Sequence, residues 1–149
     1  MRTKQWAFPA IVLVLVALAV CGCSSPTATP RPSTDSPQDA VIRYWQAIDK
    51  GDYEAAYDMA HPAQNVTRQQ WIDQHRAAWG ENGTYININN FTVIGNTSLA
   101  LDTFPGNFTA IDSVIVQTDV SYLGKETNGT SQFAAVKEAD DGWKFYGSY

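Results

Sequence analysis

His75 is the residue whose neighbours most suggest ligand binding, because it lies four residues from both Trp71 and Trp79. Side chains four residues apart share one face of a helix, so this imidazole would stand between two indole rings. Tyr44 and Tyr57 are predicted on other helices and are candidates to face this group. Aromatic walls with a few polar groups are typical of small-molecule sites. We therefore predict that these five residues line a pocket for a flat or apolar ligand.

The same residues fit a simpler interpretation. Buried tyrosine, tryptophan and histidine often close a hydrophobic core, with the histidine held by one hydrogen bond. The sequence leaves both interpretations open for His75. The other histidine, His61, precedes Pro62 and is predicted to cap the end of a helix.

Motifs for metal or phosphate chemistry do not occur in the sequence. There is no glycine-rich phosphate loop, no His-x-x-x-His pair, no calcium loop and no serine elbow. Two isolated histidines do not form a metal site. The acids at Asp140 and Asp141 precede Gly142 and are read as a hairpin turn rather than a catalytic pair. The sequence predicts no metal, no cofactor and no set of catalytic residues.

Asparagine-linked glycosylation is the modification that the sequence most favours. Six of its eight asparagines begin an Asn-x-Ser/Thr sequon without proline, namely Asn65, Asn82, Asn90, Asn96, Asn107 and Asn128. Since about one residue in seven is serine or threonine, chance would give roughly one such match. Five of the six lie in predicted loops or turns, where a modifying enzyme can reach them. The alternative is that asparagine and glycine serve turn chemistry and create sequons incidentally.

The amino terminus has the three parts of a lipoprotein signal. Arg2 and Lys4 form a cationic head, and the apolar run from Ala7 to Val20 is too short for a bilayer-spanning helix. The stretch from Val20 to Cys23 resembles a prokaryotic lipobox, in which a small residue precedes the lipidated cysteine. Cys23 is the predicted lipidation site and Cys21 the weaker one. An ordinary signal peptide or a short uncleaved anchor is the alternative.

Cleavage before Cys23 divides the chain into a signal at 1–22, a Pro/Ser/Thr-rich tether at 23–36 and one domain at 37–149. The mature chain keeps 8 basic and 15 acidic residues, a charge of 8 − 15 = −7. Nucleic acid is therefore a poor partner. We expect a protein anchored by its lipid on the outer face of the cytoplasmic membrane. Its sequons and Thr-Pro tether resemble archaeal surface proteins.

Three helices are predicted to open the domain. Ser36 and Pro37 begin the first, and Asp52 begins the second. Thr67 and Gln70 have capping-box spacing and begin the third. Each start is followed by an apolar stripe at helical spacing.

Past Gly83 the apolar period changes to two residues, which predicts about five antiparallel strands. The first is predicted to bulge at Asn89–Asn90 and to end at a Gly95–Asn96 turn. Leu99 and Leu101 mark a short second strand, and Val114 to Tyr122 a long third one. Hairpin turns at Asn128–Gly129 and Asp141–Gly142 are predicted to bound the fourth strand, around Phe133 to Glu138, and the fifth, with Trp143 and Phe145.

Two segments resemble the superfamily of nuclear transport factor two, which includes SnoaL-like cyclases and ketosteroid isomerase. The first runs from Ala40 to Tyr57 through both opening helices, and the second is Asp140 to Phe145. The likeness is greatest to small lipoproteins of this superfamily without an assigned function. It implies an α+β cone, with a curved antiparallel sheet wrapped around three helices and a pocket between them.

Isomerase chemistry of that kind needs a carboxylate base facing an apolar pocket. Among the acids, only Asp112 shares the inward parity of its predicted strand, near a rim. Asp102 and Asp119 have the opposite parity, and Asp73 lies off its helix stripe. We therefore expect a module that binds a small ligand or an envelope protein. A lyase or isomerase, or a structural protein that forms a homodimer through its sheet, is the alternative.

Overall fold

The computed structural model describes residues 34–61, 66–139 and 141–149. They form three helices followed by an antiparallel sheet, the α+β class that the sequence predicts. The helices are α1 Pro37–Asp49, α2 Tyr53–Met59 and α3 Arg68–Trp79, and the strands are β1 Ile86–Ser98, β2 Ala110–Tyr122, β3 Lys125–Glu138 and β4 Gly142–Ser148. Cys21, Cys23 and Asn65 lie outside the described residues. Within these residues, no helix has the length and apolar character needed to cross a membrane.

All three predicted helix starts are confirmed. The Ser36 hydroxyl accepts a hydrogen bond from the Asp39 backbone N–H at 3.1 Å. The Asp52 carboxylate caps α2 in the same way, and Thr67 and Gln70 form a reciprocal capping box at α3. These side chains satisfy backbone donors that a helix start leaves without partners.

Buried Tyr53, the first residue of α2, is hydrogen-bonded to the turn that follows α3. The Tyr53 hydroxyl donates to the Gly80 carbonyl at 2.5 Å and accepts from the Gly83 N–H at 3.2 Å. Gly51, at φ +68°, allows close contact, since a Cβ there would lie 2.2 Å from the Asn82 backbone. The turn before β1 is therefore held against the end of α1.

The sheet has four strands in the order β1-β2-β3-β4, one fewer than predicted. The bulge predicted at Asn89–Asn90 is confirmed, because the β1–β2 register shifts between Ile88 and Asn90. Asp49 fixes this bulge from α1, accepting a hydrogen bond from the Ile88 N–H at 2.9 Å.

The predicted turn at Gly95–Asn96 and the strand at Leu99 and Leu101 are wrong. A second register shift near Gly95 lets β1 continue to Ser98, so the turn residues are absorbed as an irregularity of one long strand. Leu101 is 52% exposed, and the chain from 99 to 109 is a loop. A strand there would have had no free edge of β2, which β1 and β3 already occupy.

The hairpin predicted at Asn128–Gly129 is also wrong, whereas the turn before β4 is confirmed at Gly142 (φ +71°). The β2–β3 connection is instead the two-residue turn Leu123–Gly124, and both residues have positive φ. Asn128 lies inside β3, paired with Asp119. The pairing of β2 with β3 continues without interruption through Asp119 and Asn128, so the Asn-Gly sequence does not form a turn.

The two faces of the sheet are covered differently. The inner face packs on the helices, with α1 contacting all four strands. The outer face points away from the helices, and its Ile111 and Val136 are covered by Phe108 from the loop at 99–109. That loop leaves the other half of the outer face exposed.

The edge of β4 that does not pair with β3 contacts two other segments of the chain. Thr34 forms an antiparallel bridge with Trp143, and its hydroxyl donates to the Trp143 carbonyl at 2.7 Å. His61 donates its backbone N–H to the Phe145 carbonyl at 2.7 Å. α2 ends at Met59, and the His61 ring contacts Glu138 at 2.6 Å. The prediction that His61 caps a helix is therefore wrong, because it pairs with the sheet.

Candidate functional site

The larger of two neighbouring cavities lies between the helices and the inner face of β1, β2 and β3. Its volume is about 480 Å³, within the range of roughly 300–1,000 Å³ that ligand pockets occupy. The lining residues are Trp45, Ala78, Trp79, Ile86, Ile88, Phe91, Thr118, Val120, Tyr122, Thr127, Ser131 and Phe133. Most of this wall is aromatic or aliphatic.

Besides the indole N–H groups of Trp45 and Trp79, four hydroxyl groups belong to this wall, from Thr118, Tyr122, Thr127 and Ser131. The Tyr122 hydroxyl donates to the Ala78 carbonyl at 3.1 Å, which ties the end of β2 to α3. Its ring meets Trp79 edge-on, with the centroids 5.6 Å apart. No carboxylate or imidazole belongs to the described lining. This cavity therefore offers apolar contact and neutral hydrogen bonds.

A second cavity of about 300 Å³ shares Trp45, Trp79 and Phe133 with the first. Four of the five residues predicted to bind ligand, Tyr44, Trp71, His75 and Trp79, line this second cavity. The structure thus brings them together, and ligand binding by them stays a prediction.

His75 is held in this wall by two hydrogen bonds. Its Nδ1 lies 2.9 Å from the Trp71 carbonyl, which can only accept, so Nδ1 carries the proton. Its Nε2 then accepts from the Tyr44 hydroxyl at 3.3 Å. The ring also stacks on Trp71, with centroids 3.5 Å apart. Both nitrogens of the neutral imidazole have partners.

Burial favours the neutral form of both members of this pair. It lowers the pKa of His75, although the Trp71 carbonyl opposes that shift. It also raises the pKa of Tyr44 well above the ordinary range. Tyr44 is stacked on Phe145 with the centroids 3.8 Å apart. These contacts agree with the core interpretation, with two hydrogen bonds to the histidine instead of one.

Tyr57 is separate from both cavities. Its ring meets the edge of Trp71 at 5.5 Å between centroids, and the Arg68 guanidinium lies 5.5 Å above its centroid. Tyr57 packs against Trp71 and is not among the described residues that line either cavity.

None of the four acids considered from the sequence lines either cavity. Asp112 is buried near the start of β2 and accepts a hydrogen bond from the Asn96 amide at 2.9 Å. Asp102 is exposed in the loop before β2, and Asp73 bonds Gln69 and Arg76 on the surface of α3. Asp119 pairs with Asn90 and Asn128 on the outer face.

The described residues contain no group of histidine, cysteine and acidic side chains able to hold a metal ion. They include five of the six sequon asparagines, and all five are exposed. The prediction that most lie in loops or turns is wrong. Asn90 and Asn96 lie in β1 and Asn128 in β3, because the strands extend through the turn signals.

Most residues that line the larger cavity carry no signal of a binding site in the sequence. Val120 was expected on the inward side of the long third strand, whereas Phe91 and Trp45 were expected only within the first strand and the first helix. Alternation indicated which way these strand residues face. It could not show that the space in front of them is unfilled, because that depends on how far the helices lie from the sheet.

Comparison with protein-family models finds no match, and comparison with curated proteins finds none either. Solved structures do resemble this chain in fold. One is an NTF2-like protein of unknown function in nutrient uptake from Rhodospirillum rubrum, with 17% identity, a TM-score of 0.48, and coverage of 76% of this chain and 98% of that one.

Two others are titled as putative calcium/calmodulin-dependent kinase II association domains. The Exiguobacterium sibiricum protein has 15% identity and a TM-score of 0.47, covering 73% of this chain and 84% of that one. The Thiobacillus denitrificans protein has 12% identity and a TM-score of 0.47, covering 79% and 99%. Such similarities concern fold alone. Of these three neighbours of the α+β chain, one is titled as NTF2-like and two as kinase association domains.

Proposed function

We propose that the domain binds a small apolar ligand in the larger cavity while a lipid on Cys23 holds it at the outer face of the cytoplasmic membrane. The cavity of about 480 Å³ is the observation that carries this proposal. A space of that size in a small domain leaves apolar surface uncovered by protein. A ligand that covers this surface would gain roughly 25 cal/mol for each Å² removed from water.

The wall chemistry supports a neutral ligand with an apolar body. Trp45, Trp79, Phe91 and Phe133 offer ring faces and edges, and the hydroxyls nearby can bond a carbonyl or hydroxyl group. A charged group would lose its hydration without an opposite charge among the described lining residues.

Binding is favoured over an isomerase or lyase because proton transfer needs a positioned acid or base. The described residues around the larger cavity supply only neutral hydroxyl and indole N–H groups. His75 has both nitrogens engaged, and Asp112 is bonded to Asn96 away from the cavity.

The cavity is tested by filling it. In Val120→Phe, the larger side chain occupies the inner face between Ile88 and Thr127, which pair with Val120. We expect the affinity for the neutral apolar probe N-phenyl-1-naphthylamine, measured by its fluorescence, to fall at least about tenfold.

Gln117→Phe is the matched control, because Gln117 is exposed on the outer face three residues before Val120. It should bind the probe as the unmodified domain does. Circular dichroism checks that both variants are folded. Equal affinity of a folded Val120→Phe variant and the unmodified domain would refute the proposed site.

A further inference from the structure

Two sequons lie side by side on the outer face of the sheet. In the register, Asp119 of β2 is opposite Asn90 of β1 on one side and Asn128 of β3 on the other. Two residues along, Gln117 is opposite Thr92 and Thr130 in the same way. The acceptor asparagine and the threonine of each sequon therefore form two parallel rows across three strands.

These rows face away from the ligand cavity. Phe91, Thr118 and Val120 alternate with the row residues and line the cavity on the inner face. Asn90 and Asn128 are both exposed, so the folded domain has room for a substituent on either amide.

The side-chain amide nitrogens of Asn90 and Asn128 have no hydrogen-bond partner among the described residues. The Thr92 hydroxyl donates to Asn90 Oδ1 at 2.8 Å, so the bond within this sequon uses the oxygen. The Thr130 hydroxyl donates to Gln117 Oε1 at 3.4 Å. Asn96 differs, because its amide nitrogen donates to Asp112. Asn90 and Asn128 are thus the better placed acceptors within the sheet.

We propose that Asn90 and Asn128 both carry N-linked glycans, which cover the exposed half of the outer face and keep the sheet from pairing with a second copy. The two asparagines are separated by two strand spacings, about 10 Å. Stacked sheets also pack about 10 Å apart, which leaves no room between them for a bulky glycan.

Part of the outer face is already covered within the chain. The loop at 99–109 buries Ile111 and Val136 under Phe108. Glycans on this surface leave the inner-face cavity open.

Mass spectrometry of the protein purified from the cells that make it tests the pair of sites. This inference relies on the export proposed above, so membrane fractionation is measured on the same sample. We expect the peptides containing Asn90 and Asn128 each to carry a glycan mass. Thr92→Ala should remove the first glycan and Thr130→Ala the second, while Thr92→Ser and Thr130→Ser should keep them.

Asn89→Gln is the matched control, because Asn89 lies in β1 beside Asn90 and begins no sequon. It should leave both glycan masses unchanged. Light scattering should show a monomer for the glycosylated protein. Either peptide at only its unmodified mass, in protein that is still membrane-bound, would overturn the paired glycans without affecting the proposed anchor. A dimer whose outer face is protected from hydrogen exchange would overturn their blocking role.

Discussion

The hydrogen bond between Tyr44 and His75 depends on the protonation state of the histidine. With Nδ1 bonded to the Trp71 carbonyl, Nε2 can accept from Tyr44 only while the ring is neutral. A protonated ring would present a second donor to the tyrosine. Burial already disfavours this charge and lowers the pKa of His75.

Stability should therefore fall as the pH drops below about 6.5, the ordinary pKa that His75 regains on unfolding. Below that pH the unfolded chain binds the proton more readily, and the loss continues until the pH reaches the lower pKa of the folded state. Urea midpoints at pH 7.5 and 5.5 measure this. His75→Gln should reduce the pH dependence, and His75→Ala should cost roughly 1–3 kcal/mol at pH 7.5.

His61→Gln is the control for the other histidine, which contacts Glu138 at the edge of the sheet. If His75 causes the pH dependence, this variant should retain it. An unchanged pH dependence in His75→Gln would contradict the assignment.

The turn between β2 and β3 is an element that the chain builds from an unfavourable residue. Leu123 has φ +50°, a left-handed backbone conformation that suits asparagine or glycine better than leucine. Its side chain is 65% exposed, so little burial offsets the backbone strain. Leu123→Asn would create an Asn-Gly turn and should stabilise the domain by about 1 kcal/mol.

Urea unfolding measures this change, with Leu123→Ala as the control. Alanine removes the exposed side chain but keeps the strained backbone, so it should not reproduce the gain. Equal stabilisation by alanine and asparagine would show that side-chain exposure, not turn geometry, is responsible.

This turn also shows why the helices were predicted better than the strands. Ser36, Asp52 and Thr67 cap helices through bonds to residues three positions away, so a short window of sequence contains the whole interaction. Strand limits depend on distant partners. Asn128–Gly129 looks like a turn locally, yet its pairing with Thr118 and Asp119 keeps it in β3. The stripe containing His75 was found, but the larger cavity depends on the spacing of helices and sheet.

The proposed lipid anchor predicts a specific mass for the mature protein. The mature protein should begin at Cys23 and be heavier than its peptide by the mass of attached lipid. Cys23→Ser should lose that lipid because it removes the thiol, and Cys21→Ser should keep it. Intact mass of membrane-extracted protein distinguishes the two, and lipid on the Cys23→Ser chain would exclude Cys23 as the site.

If Cys23 is lipidated, the bridge from Thr34 to Trp143 limits the length of the segment between the lipid and the domain. With Cys23 as the anchor, only ten residues, or eleven steps along the chain, lie between the lipidated residue and Thr34, the first residue fixed to β4. At about 3.1 Å per residue, an extended segment of that length reaches roughly 34 Å. The domain would then stay within a few nanometres of the membrane, so a molecule at the membrane surface would encounter the cavity repeatedly. Capture would be governed by effective concentration at that surface and less by diffusion from bulk solution.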